Sequence, residues 1–305
     1  DYDILYARST DNGATWGDPQ PLNLFATVDA AIDQDVQPDI VYAGSGTFVI
    51  AWYNIGSGTT AGSRIFAGRS LTRGETWPAQ GSLMEFPNIV GLDAGHPHVT
   101  AGANGAVVAA WHSNLRVSGG LDDYDLWSAH SPDYGNSWMT NVRVNTDGAS
   151  DNFEDRNVTV VSDYLGYWLA VWDAVESPVG DYGTDTDIFW ARSIDVGATW
   201  SDRAPLNTTA ASDTRQQDAV PWIASDLHGN WIAVWSSFQD TTPSAAGAVQ
   251  ALFAQSVDHG TTWTAPGQIS SAATIESTDV LYPCLVTDEA THWLAAWNSS
   301  GRPNL

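Results

Sequence analysis

The segment Ser193-Ile-Asp-Val-Gly-Ala-Thr-Trp200 decides the fold, because the chain repeats its pattern of Ser, Asp, Gly and Trp at a nearly constant spacing. The other copies align with it without gaps and begin at Ser9, Ser70, Ser131 and Ser256. Their glycines lie at positions 13, 74, 135, 197 and 260, so the intervals are 61, 61, 62 and 63 residues. Counting from Gly260 past the last residue and on to Gly13 gives 58. Self-similarity at a fixed period indicates a repeat architecture, and here the repeat nearly closes on itself.

Each interval also contains a short strand of large apolar residues, of which Trp168-Leu-Ala-Val-Trp172 is the clearest copy. A further strand is predicted upstream, opening at Pro38, Pro97, Asn157, Pro221 and Pro283, and a third downstream, such as Ile188-Phe-Trp-Ala-Arg192. A fourth strand follows the Ser-Asp-Gly-Trp segment. Because no stretch has a sustained 3.6-residue periodicity, each repeat is predicted to be four strands without a helix.

Four-stranded repeats around one axis predict an all-β fold, a five-bladed β-propeller that forms a single domain over residues 1–305. Four blades are predicted at 38–84, 97–145, 157–208 and 221–271, and residues 282–305 together with 1–23 are predicted to make the fifth. Joining both termini in one sheet would leave no open blade edge. The alternative is a six-bladed ring, which would need a blade that lacks both motifs.

The eight-residue repeats have the composition of a tight hairpin turn. The Asp can accept hydrogen bonds from backbone N–H groups, the Gly can adopt positive φ, and the Trp can fill the space between neighbouring blades. The second copy has Thr72 where the others have Asp, so we expect its turn to be the loosest of the five.

This pattern resembles the Asp-box, also called the BNR repeat, and five copies at blade spacing make the chain similar to the sialidase-like, or neuraminidase-like, β-propeller superfamily over essentially its whole length. The resemblance implies that the repeats are structural and lie on the face away from the active site. Function is therefore expected on the opposite face.

Composition narrows the possible partners. All 11 basic residues are Arg, they stand against 36 Asp and Glu, and the formal net charge is −25. Such a charge repels phosphate, so nucleic acid is not an expected partner, whereas cations, neutral sugars or a basic protein surface are. No apolar stretch is long enough to insert into a membrane. The single Cys284 excludes an internal disulfide. We expect an exported protein, extracellular or periplasmic, and the oligomeric state stays open.

A carboxylate stands shortly before the first strand of every repeat, and we expect these residues to form a ring at one mouth of the central channel: Asp35, Asp93, Asp155, Asp218 and Asp279. Crowded like charges raise one another's pKa or require a cation or an arginine. Calcium is the cation that such oxygen ligands favour, although no cofactor is required. The alternative is that the aspartates only cap turns.

The resemblance implies a sialidase-type site, with an arginine cluster that holds a substrate carboxylate, a Tyr nucleophile polarised by a Glu, and an Asp as general acid and base. Tyr282 with Glu276 could supply the nucleophile pair, and Asp93, Asp155 or Asp218 the acid. The candidate arginines are Arg64, Arg116, Arg156, Arg215 and Arg302. The Arg-Ile-Pro signature of the family's enzymes is absent, and no arginine triad can be assigned.

Two further sets of residues are candidates for ligand contact. Asp93, His96, His98 and His112 could form a transition-metal site, since the histidines are predicted on adjacent strands. The aromatic residues that could contact a glycan outside the repeat positions are Tyr53, Tyr124, Tyr182, Phe238 and Tyr282. The leading prediction is recognition of a ligand, carbohydrate first, at the acidic mouth. The alternatives are an exo-glycosidase of the sialidase type at the same place and a protein-interaction scaffold.

Overall fold

A computed structural model describes residues 2–22, 34–56, 62–83, 92–116, 120–148, 153–175, 182, 185–208, 210–211, 216–239, 248–269 and 282–298. These residues form twenty strands, and one short 3-10 turn at Ala103–Gly105 is the only helical element among them. The all-β prediction is confirmed for this part of the chain. Within it, no helix has the length and apolar character needed to cross a membrane.

Sixteen of the strands make four antiparallel sheets, each built from four strands in chain order. Sheet I contains β3 (Gln34–Gly44), β4 (Thr47–Ile55), β5 (Ser63–Ser70) and β6 (Ala79–Ser82). Sheet II contains β7 (Ala94–Ala101), β8 (Val107–Arg116), β9 (Gly120–Ser131) and β10 (Val142–Arg143). Sheet III contains β11 (Asp155–Ser162), β12 (Trp168–Val175), β13 (Thr186–Ser193) and β14 (Ala204–Pro205). Sheet IV contains β15 (Gln216–Ser225), β16 (Trp231–Gln239), β17 (Ala248–Ser256) and β18 (Gly267–Gln268).

The remaining strands form two separate two-stranded sheets near the ends of the chain. The first pairs β1 (Leu5–Tyr6) with β2 (Gln20–Pro21), and the second pairs β19 (Cys284–Thr287) with β20 (Trp293–Ala296). Among the described residues, no strand pairing joins these two hairpins. Their union in one blade therefore stays a prediction, as do the blade boundaries.

Apolar side chains pack between consecutive sheets, so both faces of an inner strand are covered. In β12 every side chain except that of Val175 is buried, and Trp111, Trp172 and Trp235 of the second strands are each at most 1% exposed. Continuous apolar runs, rather than strict alternation, are typical of strands buried on both faces. The second-strand tryptophans of sheets I to IV therefore belong to the core.

The repeated turns have the hydrogen bonds that their sequence predicts. In the fourth copy, Ser193 donates to Asp195 over 2.8 Å, and Asp195 accepts from the backbone N–H of Thr199 over 2.9 Å. Gly197 has a φ of +76°. In the fifth copy burial opposes ionisation, but hydrogen bonds from Thr262 and Ser256 outweigh it and lower the pKa of Asp258 to about 2.

The second turn keeps part of this pattern without its carboxylate. The Thr72 hydroxyl accepts from the Thr76 N–H over 2.9 Å, but its oxygen lies 3.3 Å from the Ser70 hydroxyl oxygen. In the other turns the aspartate oxygen lies 2.8 to 2.9 Å from the serine hydroxyl oxygen. That this turn is the loosest stays a prediction.

The turn tryptophans do not all fill space between blades. Trp77 and Trp200 are buried, at 8% and 7% exposure, whereas Trp16 is 66% exposed. The prediction is wrong for Trp16, because its turn follows the N-terminal strand β1, which pairs only with β2 in the described part of the chain. A tryptophan in this turn is buried only where it packs on a preceding sheet.

Candidate functional site

A central cavity of about 550 Å³ is lined by the first strands of sheets I to IV and by the start of the C-terminal hairpin. Its walls are mostly apolar, with Pro38, Pro97, Pro221 and Pro283 at equivalent positions of the repeat. The lining also contains aromatic and polar residues that can contact a ligand: Trp222, Tyr282, His96, His98, Asn157 and Gln37. Convergence of one strand from each repeat on a common cavity is the architecture of a β-propeller.

A repeated backbone irregularity places side chains in this cavity. The residue before the repeat proline position has positive φ in every copy: Gln37 at 50°, His96 at 50°, Asn157 at 53°, Val220 at 49° and Tyr282 at 44°. In β3, β7, β11 and β15 the register with the neighbouring strand shifts at this point. A bulge redirects a side chain, and strained φ values of this kind cluster at functional sites. We call these five residues the bulge ring.

The bulge ring explains why the first strands begin before the predicted prolines. The first strands were expected to open at the repeat prolines, but β3 begins at Gln34 and β15 at Gln216. The bulge lets the strand continue on both sides of the proline, whose missing N–H would otherwise interrupt the ladder.

A second group of side chains, which we call the tyrosine–histidine cluster, lies beside the cavity and comprises Tyr53, Asp93, His96, His112, Tyr124 and Arg156. The rings of His96 and His112 are 5.1 Å apart, and those of His112 and Tyr124 are 5.4 Å apart. The Tyr124 hydroxyl donates to Asp93, and the Arg156 guanidinium carbon lies 3.7 Å from the Tyr124 ring centroid. Strands β4, β8, β9 and β11 thus bring together residues that are far apart in the sequence.

Protonation within the cluster is set mainly by burial. Burial, aided by His96 and Arg156, lowers the pKa of His112 to about 3, and burial and Arg156 lower the pKa of His96. Burial and the hydrogen bond to Asp93 raise the pKa of Tyr124. At neutral pH the cluster therefore presents neutral histidines, a neutral phenol that donates to a carboxylate, and one cation.

Asp173, which sequence reasoning missed, lies next to the bulge ring. Its carboxylate accepts from the Val220 N–H over 2.8 Å and from the Asn157 amide over 2.9 Å. Burial raises its pKa to about 6, against the lowering effect of Asn157, the Val220 N–H and Arg156. A raised carboxyl pKa beside a cavity is typical of a proton donor. The sequence signal that could have found Asp173 is its position directly after the repeated Trp172.

The structure corrects the expected ring of aspartates at the mouth of the channel. Asp35, Asp155 and Asp218 are at most 7% exposed, and only Asp93 of the four described members is exposed. Trp52 donates to Asp35 over 2.8 Å, and Trp172 donates to Asp155 over 2.6 Å. These three side chains tie strands together and do not line the cavity, while Asp279 lies outside the described residues.

Asparagines link two of these buried aspartates to the preceding sheet. The Asn145 amide donates to both Asp125 and Asp155 over 2.8 Å. Asn207 repeats the arrangement with Asp187 over 2.6 Å and with Asp218 over 2.8 Å. Each asparagine therefore connects the third strand of one sheet to the first strand of the next.

The other predicted site residues are dispersed. Tyr282 is 63% exposed at the cavity, but Glu276, its expected partner, lies outside the described residues, as do Arg215 and Arg302.

Arg116 ends β8, and its side chain is not described. Arg64 lies on β5 opposite Asn54 of β4, and it is not part of the cavity lining. Tyr182 contacts the ring of Phe189 at 5.5 Å, so it packs with the core of sheet III. Phe238 packs on a small core with Val249 and Ala251.

The bulge also separates the histidines proposed for a metal site. His96 lies with His112, whereas His98 is 3.9 Å from Asp39 and contacts the ring of Trp222 at 5.6 Å. The described residues contain no group of three or more His, Cys, Asp or Glu side chains placed to hold a metal ion.

Comparisons with known proteins show similarity of fold. No protein-family model and no curated protein sequence matches the chain. The chain is similar to a protein of unknown function from Dyadobacter fermentans, with a TM-score of 0.55 and 18% identity over 78% of this chain and 69% of that one. It is similar to the Hadza microbial sialidase Hz136, with a TM-score of 0.52 and 16% identity over 93% of this chain. This match spans 54% of the sialidase. An α-L-arabinanase of Penicillium chrysogenum, complexed with arabinobiose, matches with a TM-score of 0.53 and 13% identity over 82% of this chain and 70% of that one.

Proposed function

We propose that this protein binds a carbohydrate in the central cavity. The observation that carries the proposal is the composition of the cavity wall, where Trp222 and Tyr282 stand beside polar side chains of the bulge ring. Small-molecule sites are mostly apolar pockets of about 300 to 1,000 Å³ with a few placed polar groups, and this cavity falls in that range. Aromatic rings can stack on the C–H faces of a sugar, and Asn157 and Gln37 can bond its hydroxyls.

The net charge of −25 favours a neutral sugar over an anionic one. Arg156 is the cation of the tyrosine–histidine cluster, but Glu154 lies 3.1 Å from its Nε and offsets its charge. The sialidase and the arabinanase of similar fold give the two sugars to test first, sialic acid and arabinobiose. Of these, arabinobiose is the ligand that the charge favours.

Two tryptophans, one in the cavity and one in a repeat turn, allow a controlled test of sugar binding. Trp222 is 37% exposed in the cavity, and Trp16 is 66% exposed in a repeat turn at the other end of the strands. Trp222→Ala should weaken arabinobiose binding about tenfold or more in calorimetric titration, because an aromatic contact in a pocket typically contributes over 1 kcal/mol. Trp16→Ala should leave the affinity unchanged. If both variants bind arabinobiose with the affinity of the parent, the sugar does not bind in the central cavity.

A second candidate function is hydrolysis of a terminal glycosidic bond, which the contacts of Tyr124 favour. Its phenol donates to Asp93 beneath the Arg156 guanidinium. A tyrosine nucleophile needs such a carboxylate to take its proton. In the proposed step the Tyr124 oxygen bonds the anomeric carbon, the bond to the leaving oxygen breaks, and protonated Asp173 supplies that oxygen with a proton. Water, which gives its proton to Asp173, then attacks the anomeric carbon and releases the sugar, and the Tyr124 oxygen recovers its own proton from Asp93.

We expect the wild-type protein to release methylumbelliferone from its sialic acid or arabinofuranose conjugate if this candidate is correct. Tyr124→Phe should reduce the rate at least a hundredfold, whereas Tyr6→Phe, a tyrosine outside the cluster, should not. Because Asp173 has a pKa of about 6 and must be protonated, the rate should fall as the pH rises through that value, and Asp173→Asn should abolish this dependence. A wild-type protein that binds sugar but cleaves neither conjugate would leave binding as the function.

We also propose that the ring has five blades and that the two terminal hairpins complete the fifth. The N-terminal hairpin packs Ile4 and Leu22 against Trp52 of sheet I, and Trp297 packs against Val249 and Ala251 of sheet IV. The hairpins thus cover the two sheets that a closed ring has to connect.

Removal of residues 1–23 should therefore lower the melting temperature by more than 10 °C, because it exposes the core of sheet I and half of the closing blade. Scanning calorimetry of the truncated and intact chains measures the difference. A cooperative transition within a few degrees of the parent would contradict closure by the terminal hairpins.

A further inference from the structure

One position of the repeat contacts the tryptophan of the next turn in three of the five copies. It lies three residues before the turn serine and is occupied by Tyr6, Ala67, Ser128, Trp190 and Phe253 in successive repeats. The Tyr6 ring packs on Trp77 of the next turn, with ring centroids 5.9 Å apart, and the Trp190 ring packs on Trp263, with centroids 6.3 Å apart. Phe253 is also large, but Trp16, which would follow it in a closed ring, is 66% exposed. Where the residue is Ser128, Trp200 donates to its hydroxyl over 3.0 Å.

Ala67 has neither a ring nor a hydroxyl to offer Trp138. A pocket of about 180 Å³ lies there, and its apolar lining includes Ala67, Leu83 and Trp138. The polar residues of the lining are Arg69, Gln80, Ser82 and Asn136. A Cβ built on Gly81 would meet no atom within 4 Å. The space that an aromatic side chain fills between other neighbouring sheets is therefore open between sheets I and II.

The equivalent site between the N-terminal hairpin and sheet I shows which ring fits. There the Tyr6 ring meets Trp77 edge-on, and its hydroxyl donates to the Glu75 carbonyl over 3.3 Å. In the pocket, Trp138 takes the place of Trp77, and Asn136 occupies the turn position of Glu75. The Arg69 guanidinium donates to the Asn136 side chain over 2.5 Å and holds this turn against sheet I.

We propose that this pocket binds a phenol ring, with the ring against the Trp138 indole and its hydroxyl donating to the Asn136 carbonyl. The pocket is smaller than the roughly 300 Å³ of a drug-sized site, which suits a single six-membered ring. The phenol can be a free small molecule or a tyrosyl side chain of a partner. The site lies beside the repeat turns and is independent of the central cavity.

The test uses p-cresol as the probe, with dissociation constants from ligand-observed NMR titration of the full chain. We expect p-cresol to bind at least fivefold more tightly than toluene, which lacks the hydroxyl. Ala67→Tyr should fill the pocket, weaken p-cresol binding at least tenfold and raise the melting temperature by about 2 °C or more, as a gained aromatic contact does in a domain of this size. Ala67→Ser, which keeps the pocket open, should bind as the parent does.

If the tyrosine variant does not fold, Gly81→Leu serves the same purpose, because its side chain enters the same open space. Binding of N-acetyltyrosinamide as well as p-cresol would assign the site to a tyrosyl side chain, and binding of p-cresol alone to a free phenol. Failure of both to bind the parent, or undiminished binding by the filled variant, would overturn the proposal.

Discussion

Asn145→Asp is expected to destabilise the protein by about 4 kcal/mol or more at pH 7, although the two side chains have nearly the same shape. Asn145 is fully buried and donates to Asp125 and Asp155, each over 2.8 Å, while its own oxygen accepts from the Leu126 N–H over 2.9 Å. The substitution replaces the shared donor with a third carboxyl oxygen. Losing one partner of a buried charged group typically costs about 3 to 5 kcal/mol.

The pH dependence of this variant follows from the same contacts. Two neighbouring carboxylates and burial should raise the pKa of the new carboxyl in the folded state above its unfolded value of about 3.9. Its neutral form is then the one that folding favours, so the destabilisation should be small below pH 4 and grow as the pH rises through the folded-state pKa. Denaturant titrations at pH 4 and pH 7 measure both values.

Asn141→Asp is the matched control. Asn141 is half-buried and donates to the Leu83 carbonyl over 2.8 Å, so its replacement should cost about 1 kcal/mol, the usual net value of one hydrogen bond. Equal costs at positions 141 and 145, or a cost at position 145 that does not change with pH, would show that the buried carboxylates do not depend on their shared amide.

Trp200→Ala is expected to cost about 3 to 5 kcal/mol in unfolding free energy and to leave ligand affinity unchanged. The indole is 7% exposed and donates to Ser128 of the neighbouring sheet over 3.0 Å, so its removal leaves a cavity and an unsatisfied hydroxyl. Ile194 in the same turn is 71% exposed, and Ile194→Ala should change stability by less than about 0.5 kcal/mol. If Trp200→Ala loses sugar binding but keeps its stability, the sugar binds at the repeat turns and not in the central cavity.

The repeat period predicts most of the fold because each repeat carries its own local signals. The turn serine, aspartate and glycine act within five residues of one another, so their hydrogen bonds follow from the sequence alone. The apolar second strands are buried on both faces, and runs such as Trp168-Leu-Ala-Val-Trp172 show this directly. The exposure of Trp16 could not be predicted in this way, since it depends on whether a neighbouring sheet packs on its turn.

The candidate site was predicted only in part, because its geometry depends on long-range contacts. A residue before proline favours extended backbone, so positive φ at Gln37 or Val220 is contrary to local preference and is imposed by the surrounding sheet. The buried state of Asp155 depends on Trp172 of the neighbouring strand and on Asn145, which follows β10. Tyr124, Asp93 and Arg156 were each singled out by position, but their convergence follows from strand pairing that no motif records.

The most direct test of carbohydrate binding in the central cavity is a crystal structure determined after soaking with arabinobiose and, separately, with sialic acid. We predict that at least one of these sugars is bound between Trp222 and Tyr282, with its hydroxyls within hydrogen-bond distance of Asn157 or Gln37. An empty cavity in both crystals at sugar concentrations that saturate binding in solution, or a sugar bound only at another surface, would contradict the proposed function.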